Sequence, residues 1–176
     1  VSDPKIKKEL LNAVDKVLTH GKILLGPEVK EFEDLIAKEC GTKYAIGVGN
    51  GTDALYLSMR ALNIGPGDEV ITTPMTWIIT ANAIAATGAT PVFADIRKDF
   101  NIDPKSVLKN ISSRTKAIMS VDIFGHSADM VELRKIANEH GLKIISDTAQ
   151  APGSYNNGQY SSTDADIGGF SLNYHK

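Results

Sequence analysis

Several positions in this chain combine residue type and placement in ways that could do chemistry. The run Gly49-Asn50-Gly51-Thr52-Asp53 follows a short apolar stretch and opens a helical pattern. Glycines let a backbone approach a ligand closely. The first amides of a helix, with its dipole, attract an anion, and the Thr52 hydroxyl can add a hydrogen bond. That describes a phosphate cradle. It equally describes a helix cap by Asn50 or Thr52 over a tight turn. Trp77, the only tryptophan, stands where a strand gives way to a helix. A large rigid ring there can stack on a planar cofactor, or it can fill the core. Asp147 ends the apolar run Leu142–Ser146. A buried carboxylate needs a partner, and a protonated ring nitrogen would be one; the alternative is a cap on the following turn. Lys176 follows the last strand pattern. A partly desolvated lysine becomes a nucleophilic amine able to form a Schiff base, whereas most lysines are simply solvated. Asp95 could be a ribose ligand, a cap or an orienting residue, and the structural role is the one expected.

These residues need elements to position them. Residues 4–20 read as an amphipathic helix, with Ile6, Leu10, Val14, Val17 and Leu18 at three- and four-residue spacing and Gly21 as its stop. A second helix is predicted over 27–39, with Pro27 in its first turn. From there short apolar runs alternate with helical patterns. Strands are expected at 44–49, 69–72, 91–95, 116–121, 142–146 and 167–172. Helices are expected at 52–62, 77–87, 104–110 and 129–140, the last with Met130, Leu133, Ile136 and Ala137 inward. The polar stretch 154–166 is the longest loop candidate. Strands buried on both faces and alternating with helices predict an α/β fold, a mostly parallel sheet flanked by helices. Ligands of such sheets sit at the carboxyl ends of strands, beside helix N-termini.

Composition narrows the function. The chain has 176 residues, 42% of them hydrophobic, and 19 Lys+Arg against 21 Asp+Glu for a net charge of -2. It lacks the basic excess of a non-specific nucleic-acid binder. No apolar run has the roughly 18 residues a membrane helix needs. One cysteine, Cys40, cannot form an internal disulfide, which fits a reducing, cytoplasmic compartment. The chain starts without Met, and Asp166–Lys176 reads as a core strand running into a loop. A segment of a longer chain is therefore expected.

The separate signals fall in a recognisable order. They are Gly26-Pro27-Glu28-Val29, Asn50-Gly51-Thr52-Asp53-Ala54-Leu55, Gly65-Pro66-Gly67-Asp68-Glu69-Val70-Ile71, Asp147-Thr148-Ala149-Gln150-Ala151, and Phe170-Ser171 through Lys176. The sequence resembles the DegT/DnrJ/EryC1/StrS family of sugar aminotransferases, which are fold-type I pyridoxal-phosphate (PLP) enzymes. The resemblance implies a PLP-binding large domain over 41–176, incomplete at its C-terminal side, after an N-terminal helical segment over 1–40. It implies that Lys176 carries PLP as a Schiff base and serves as general base and acid. Asp147 would pair with the pyridine nitrogen, Trp77 would stack on the ring, and Gln150 would lie near its face. Gly51, Thr52 and Ser171 would hold the phosphate. His175 receives no role, and no metal is expected.

The implied reaction moves an amino group from L-glutamate or a similar donor to a nucleotide-linked keto sugar by a ping-pong mechanism, in a homodimer with shared active sites. Relatives often carry His-x-Tyr-Gly-Gln after the strand ending at Val121; this chain has Asp122-Ile123-Phe124-Gly125-His126. Three alternatives stand beside this reading. One is a Rossmann-type oxidoreductase using Gly47-Val48-Gly49 and Asp95, although the third fingerprint glycine is missing. Another is a dehydratase on the same scaffold, against which Lys176 argues. The third is a non-catalytic relative.

Overall fold

The computed structural model describes residues 3–156 and 158–173. The chain divides into two compact units, Val1–Gly47 and Val48–Lys176.

The first unit holds helices α1 (Pro4–His20) and α2 (Pro27–Glu39). The Asp3 carboxylate caps α1 by accepting from Lys5 N at 2.8 Å. Gly21 ends it in the left-handed conformation, its N–H donating to Val17 O. Both helices are amphipathic as their spacing predicts, yet neither contains a fully buried residue.

The predicted strand over 44–49 does not form. These residues join no ladder among the described residues, and Tyr44 and Ile46 are 70% and 80% exposed. An apolar run becomes a strand only when a neighbour takes up its backbone N–H and C=O groups. Here both edges of the nearest strand in sequence, β1 (Glu69–Thr72), are already occupied.

The second unit runs α3 (Gly51–Ala61), β1, α4 (Ile79–Ala86), β2 (Thr90–Phe93), α5 (Pro104–Asn110), β3 (Thr115–Val121), α6 (Met130–His140) and β4 (Lys143–Asp147). A small antiparallel hairpin follows, β5 (Tyr155–Asn156) and β6 (Gln159–Tyr160), and then β7 (Ile167–Gly169). The sheet order is β2-β1-β3-β4-β7, and every neighbouring pair is parallel. The fold class is the one the sequence predicts.

Strand alternation sorts side chains between two cores. Ile71, Ile118 and Ile144 face α5 and α6, with Val107, Met130, Leu133 and Ile136. Val70, Ala117, Met119 and Ile145 face α3 and α4, with Leu55, Met59 and Ile84. Each fully buried aliphatic side chain contributes roughly 1.5–3 kcal/mol, so the central strands anchor both layers. The chain departs from β1 to β2 on one side and continues from β3 to β4 and β7 on the other. The reversal lies between β1 and β3, where α/β sheets place ligands.

Some boundaries differ from expectation. The stretch 154–166 is not a simple loop, because the β5–β6 hairpin lies within it, with Tyr155 and Tyr160 packed edge to face at 5.4 Å. β2 ends at Phe93, so Asp95 lies two residues beyond it, tied to α5 through Asp95 N to Ser106 Oγ at 2.8 Å and Asp103 N to Asp95 O. β7 stops at Gly169. α4 begins at Ile79, leaving Trp77 in the turn before it.

Candidate active site

The N-terminus of α3 bears out the capping reading. Asn50 is the cap: its Oδ1 accepts from Asp53 N at 2.9 Å and its Nδ2 donates to Asp53 Oδ2 at 3.0 Å. That satisfies the third helical amide. The amides of Gly51 and Thr52 precede the first intrahelical bond and have no acceptor among the described residues. The cap therefore does not compete with an anion; it orients the two amides that one would use.

Ser171 completes this corner. A Cβ placed on Gly51 would come 3.0 Å from Ser171 Cβ and 3.4 Å from its Oγ. Only glycine allows residue 171 to come so close to the helix start. A second close approach makes this possible: a Cβ on Gly169 would meet Leu55 Cδ2 at 3.1 Å, so the bare end of β7 lets α3 lie against it. Residues 120 positions apart in sequence thus bring Ser171 against the start of α3.

Asp147 ends β4 and is 7% exposed. It sits in register between Val121 of β3 and Gly169 of β7, on the sheet face covered by α3 and α4. Its Oδ2 accepts from Thr80 Oγ1 at 3.0 Å, and its Oδ1 from Ala149 N at 3.2 Å. Thr80 Oγ1 lies in turn 2.8 Å from Thr76 Oγ1. The turn-capping role is thus real, and the carboxylate is also held from α4. A carboxylate offers about four acceptor sites, and these two bonds use one on each oxygen.

Trp77 adjoins Thr76 and is 65% exposed, which removes the core reading. Its carbonyl accepts from Thr80 N at 3.0 Å, fixing the turn that presents the ring. Gln150, three residues past Asp147, is half-buried, and its carbonyl accepts from Gly125 N. Lys176 lies outside the described residues. The structure therefore brings together Gly51 with Ser171, and Asp147 with the Thr76–Trp77 turn through Thr80. Thr80 is the residue that sequence reasoning missed. The available signal was two hydroxyls four positions apart across the start of α4, Thr76 in the preceding turn and Thr80 in the helix.

A crevice of about 370 Å³ lies between the loops after β2, β3 and β4, lined by Arg97, His126, Asp129 and Tyr155 among others. Among the described residues, none of those predicted to hold the cofactor lines it. Arg97 there is already paired with Asp99 at 2.6 Å and Asp129 at 2.9 Å. Among the described residues no cluster of His, Cys, Asp or Glu is placed to hold a metal, and no helix is long and apolar enough to cross a membrane. The dinucleotide alternative loses its structural context, because a strand must lead into its glycine turn and Tyr44–Gly49 forms none.

The family profile of the DegT/DnrJ/EryC1/StrS aminotransferases matches residues 4–176. The chain belongs to this family. It is 47% identical over 170 residues to dTDP-3-amino-3,6-dideoxy-α-D-galactopyranose transaminase of Aneurinibacillus thermoaerophilus, covering 96% of this chain and 47% of that protein. Its fold matches DesV of S. venezuelae, solved in complex with a ketimine intermediate, at a TM-score of 0.91 and 43% identity, covering 94% of this chain and 45% of that one. It also matches NtdA of Bacillus subtilis with bound cofactor PMP, at a TM-score of 0.88 and 34% identity, covering 94% and 38%. The chain spans about half the length of the curated relatives it matches.

Proposed function

We propose that the whole protein is a PLP-dependent aminotransferase that moves an amino group from L-glutamate or a similar amino acid to a nucleotide-linked keto sugar. The observation that carries this reading is the buried Asp147 carboxylate, held by Thr80 at the carboxyl end of β4. A carboxylate so placed suits a protonated pyridine ring, and the Gly51–Thr52–Ser171 corner suits its phosphate. The described residues therefore fit the cofactor.

Pyridoxal phosphate, when bound, supplies an electron sink for a carbanion formed beside its nitrogen. The chain's residues supply the rest. The amides of Gly51 and Thr52, with the Ser171 hydroxyl, anchor a dianion against the helix dipole. Asp147 would keep the ring nitrogen protonated, because its charge favours a cationic partner at a position only 7% exposed. Trp77 would cover one ring face, and Gln150 would lie near the ring face. Lys176 would hold the cofactor through its Nζ, and that amine would serve as the general base and acid for the substrate carbon. One site serves donor and acceptor in turn, giving ping-pong kinetics. The active form is a homodimer with shared sites, working in the cytoplasm.

The test uses the full-length protein. Borohydride should fix its visible absorbance onto Lys176. Glutamate should yield 2-oxoglutarate in the presence of nucleotide-linked keto sugars, with a dTDP-linked 3-keto sugar tried first. A protein that takes up no PLP rejects the reading. One that takes up PLP but turns over none of the sugars rejects the substrate class alone.

A further inference from the structure

The segment where this chain departs from the common family pattern begins at Asp122, and the structure gives that residue a definite place. Asp122 follows β3 and is fully buried. By strand alternation from Ile118 and Ser120, its side chain lies on the α5–α6 face of the sheet. Asp147 lies on the opposite face. The two are nonetheless joined, because Asp122 N donates to Asp147 O at 2.9 Å. The Asp122 carboxylate also grips the residues on both sides of Asp147. Ser146 Oγ donates to Oδ2 at 3.2 Å and Thr148 Oγ1 to the same atom at 3.1 Å. Ser146 and Thr148 are themselves 3.0 Å apart, and Oδ1 accepts from Ala128 N at 2.8 Å.

We infer that Asp122 is a positioning residue for Asp147: from the far face of the sheet it clamps the backbone on both sides of residue 147, fixing the direction in which that carboxylate meets its partner. Thr80 holds Asp147 by its carboxylate; Asp122 holds it by its neighbours and its peptide. The backbone there is bonded on both sides, Asp122 N to Asp147 O and Thr148 N to Gly169 O, each at 2.9 Å, and a twist at residue 147 would swing its side chain. The triangle of Oδ2, Ser146 Oγ and Thr148 Oγ1 adds a side-chain tie across residue 147 that resists such a twist. Burial pushes the Asp122 carboxyl above its ordinary range, against the opposing hydrogen bonds from Ala128 N, Thr148 and Ser146. Such a group is retained at a cost, which suits a geometric role more than a stabilising one. The site pocket gains no charge from it, since the carboxylate faces α6 and the 122–128 loop.

This inference rests on the PLP reading above, and its test separates the two. The full-length protein would be compared with Thr148→Val, Thr148→Ser and Asp122→Asn. The readouts are PLP affinity, the pH at which the bound cofactor's visible band titrates, and kcat against KM for the sugar. Thr148→Val removes one arm of the clamp without changing shape. It should weaken PLP binding about tenfold, the lower range for outer-shell partners of a site, move the titration midpoint and lower kcat with KM unchanged. Thr148→Ser should restore all three. Asp122→Asn should act in the same direction as Thr148→Val. If Asp122→Asn does not fold, Thr148→Val and its serine rescue decide alone. Variants that melt earlier but keep wild-type PLP affinity and titration midpoint overturn the inference and leave the PLP reading standing. A wild type that binds no PLP overturns both.

Discussion

Thr80 Oγ1 donates to Asp147 Oδ2 at 3.0 Å across 67 residues of sequence. This one bond ties α4, the helix that leads back from β1, to the carboxylate at the end of β4. It couples the turn presenting Trp77 to the residue assigned to the pyridine nitrogen. Thr80→Val should therefore act on both. Losing a hydrogen bond to a charged acceptor costs about 1.5–3 kcal/mol, so denaturant unfolding should show a stability loss of that order. PLP affinity should fall with it. Thr80→Ser, which keeps the hydroxyl, should recover most of each.

Asp147→Asn leaves the shape of the site and removes its charge. The amide oxygen can still accept from Ala149 N, and its NH2 can donate to Thr80 Oγ1, whose own hydroxyl then turns to Thr76, so the fold should hold and PLP should remain bound. Transamination should fall by orders of magnitude, because a neutral partner no longer favours a protonated ring nitrogen. Near-normal turnover in a glutamate-dependent assay would contradict the pairing. Lys176→Ala should abolish turnover altogether.

Gly51→Ala tests the other end of the cofactor. Its methyl would arrive 3.0 Å from Ser171 Cβ, so the Ser171 backbone must retreat from α3. Alanine is a better helix former than glycine by about 1 kcal/mol, and the apo fold should lose little. PLP affinity should drop sharply, while Ser171→Ala, which deletes only a hydroxyl, should cost less. Equilibrium titration of the apo protein with PLP distinguishes the two. Equal affinities for Gly51→Ala and wild type would dismiss the corner as a phosphate site.

Much of this arrangement was legible in the sequence where local pattern decides it. The inward residues of α6, Met130, Leu133, Ile136 and Ala137, are all buried as their spacing predicts, and α5 has its predicted limits because Asp103 and Pro104 start it. The Gly51–Thr52 and Asp147 positions were visible as chemistry at strand and helix ends. What sequence could not show depends on distant partners. Tyr44–Gly49 has the composition of a strand and no ladder. Thr80 looks like any helical threonine until β4 is set beside it. Asp122 looks like a surface acid in a variable motif, yet it lies under residues 146–148, about 25 positions on.

Acid stability should report a different joint, outside the site. Asp166 precedes β7 and accepts from Ile144 N at 2.9 Å, Arg134 Nη1 at 3.0 Å and Lys143 Nζ at 3.2 Å. Burial pushes its carboxyl up, but these donors outweigh it and hold it below the ordinary aspartate range. A depressed folded pKa contributes stability that is complete above the unfolded value of about 3.9 and is lost as pH falls through the folded one. Asp166→Asn should thus destabilise near neutral pH, and its difference from wild type should shrink below about pH 4. Unfolding curves at several pH values check this; a difference that grows toward acid would reverse the assignment.

Trp77 offers a reporter that needs no turnover. At 65% exposure its ring contributes little to the core, so Trp77→Phe and Trp77→Ala should melt close to wild type. If the ring covers the cofactor, PLP must quench its fluorescence on binding, and the quenching must saturate with the same midpoint as the visible band. It is the only tryptophan among these 176 residues. The spectrum of Trp77→Phe, subtracted from that of the full-length wild type, isolates its signal from any tryptophan elsewhere. An aromatic stacking contact contributes about 0.5–1.5 kcal/mol beyond buried area. Trp77→Ala should therefore lose about three- to tenfold in PLP affinity, while Trp77→Phe should keep most of it. Quenching that is absent, or an alanine variant binding PLP as tightly as wild type, would take Trp77 out of the site. Asp147 and the Gly51–Ser171 corner would then carry cofactor recognition without it.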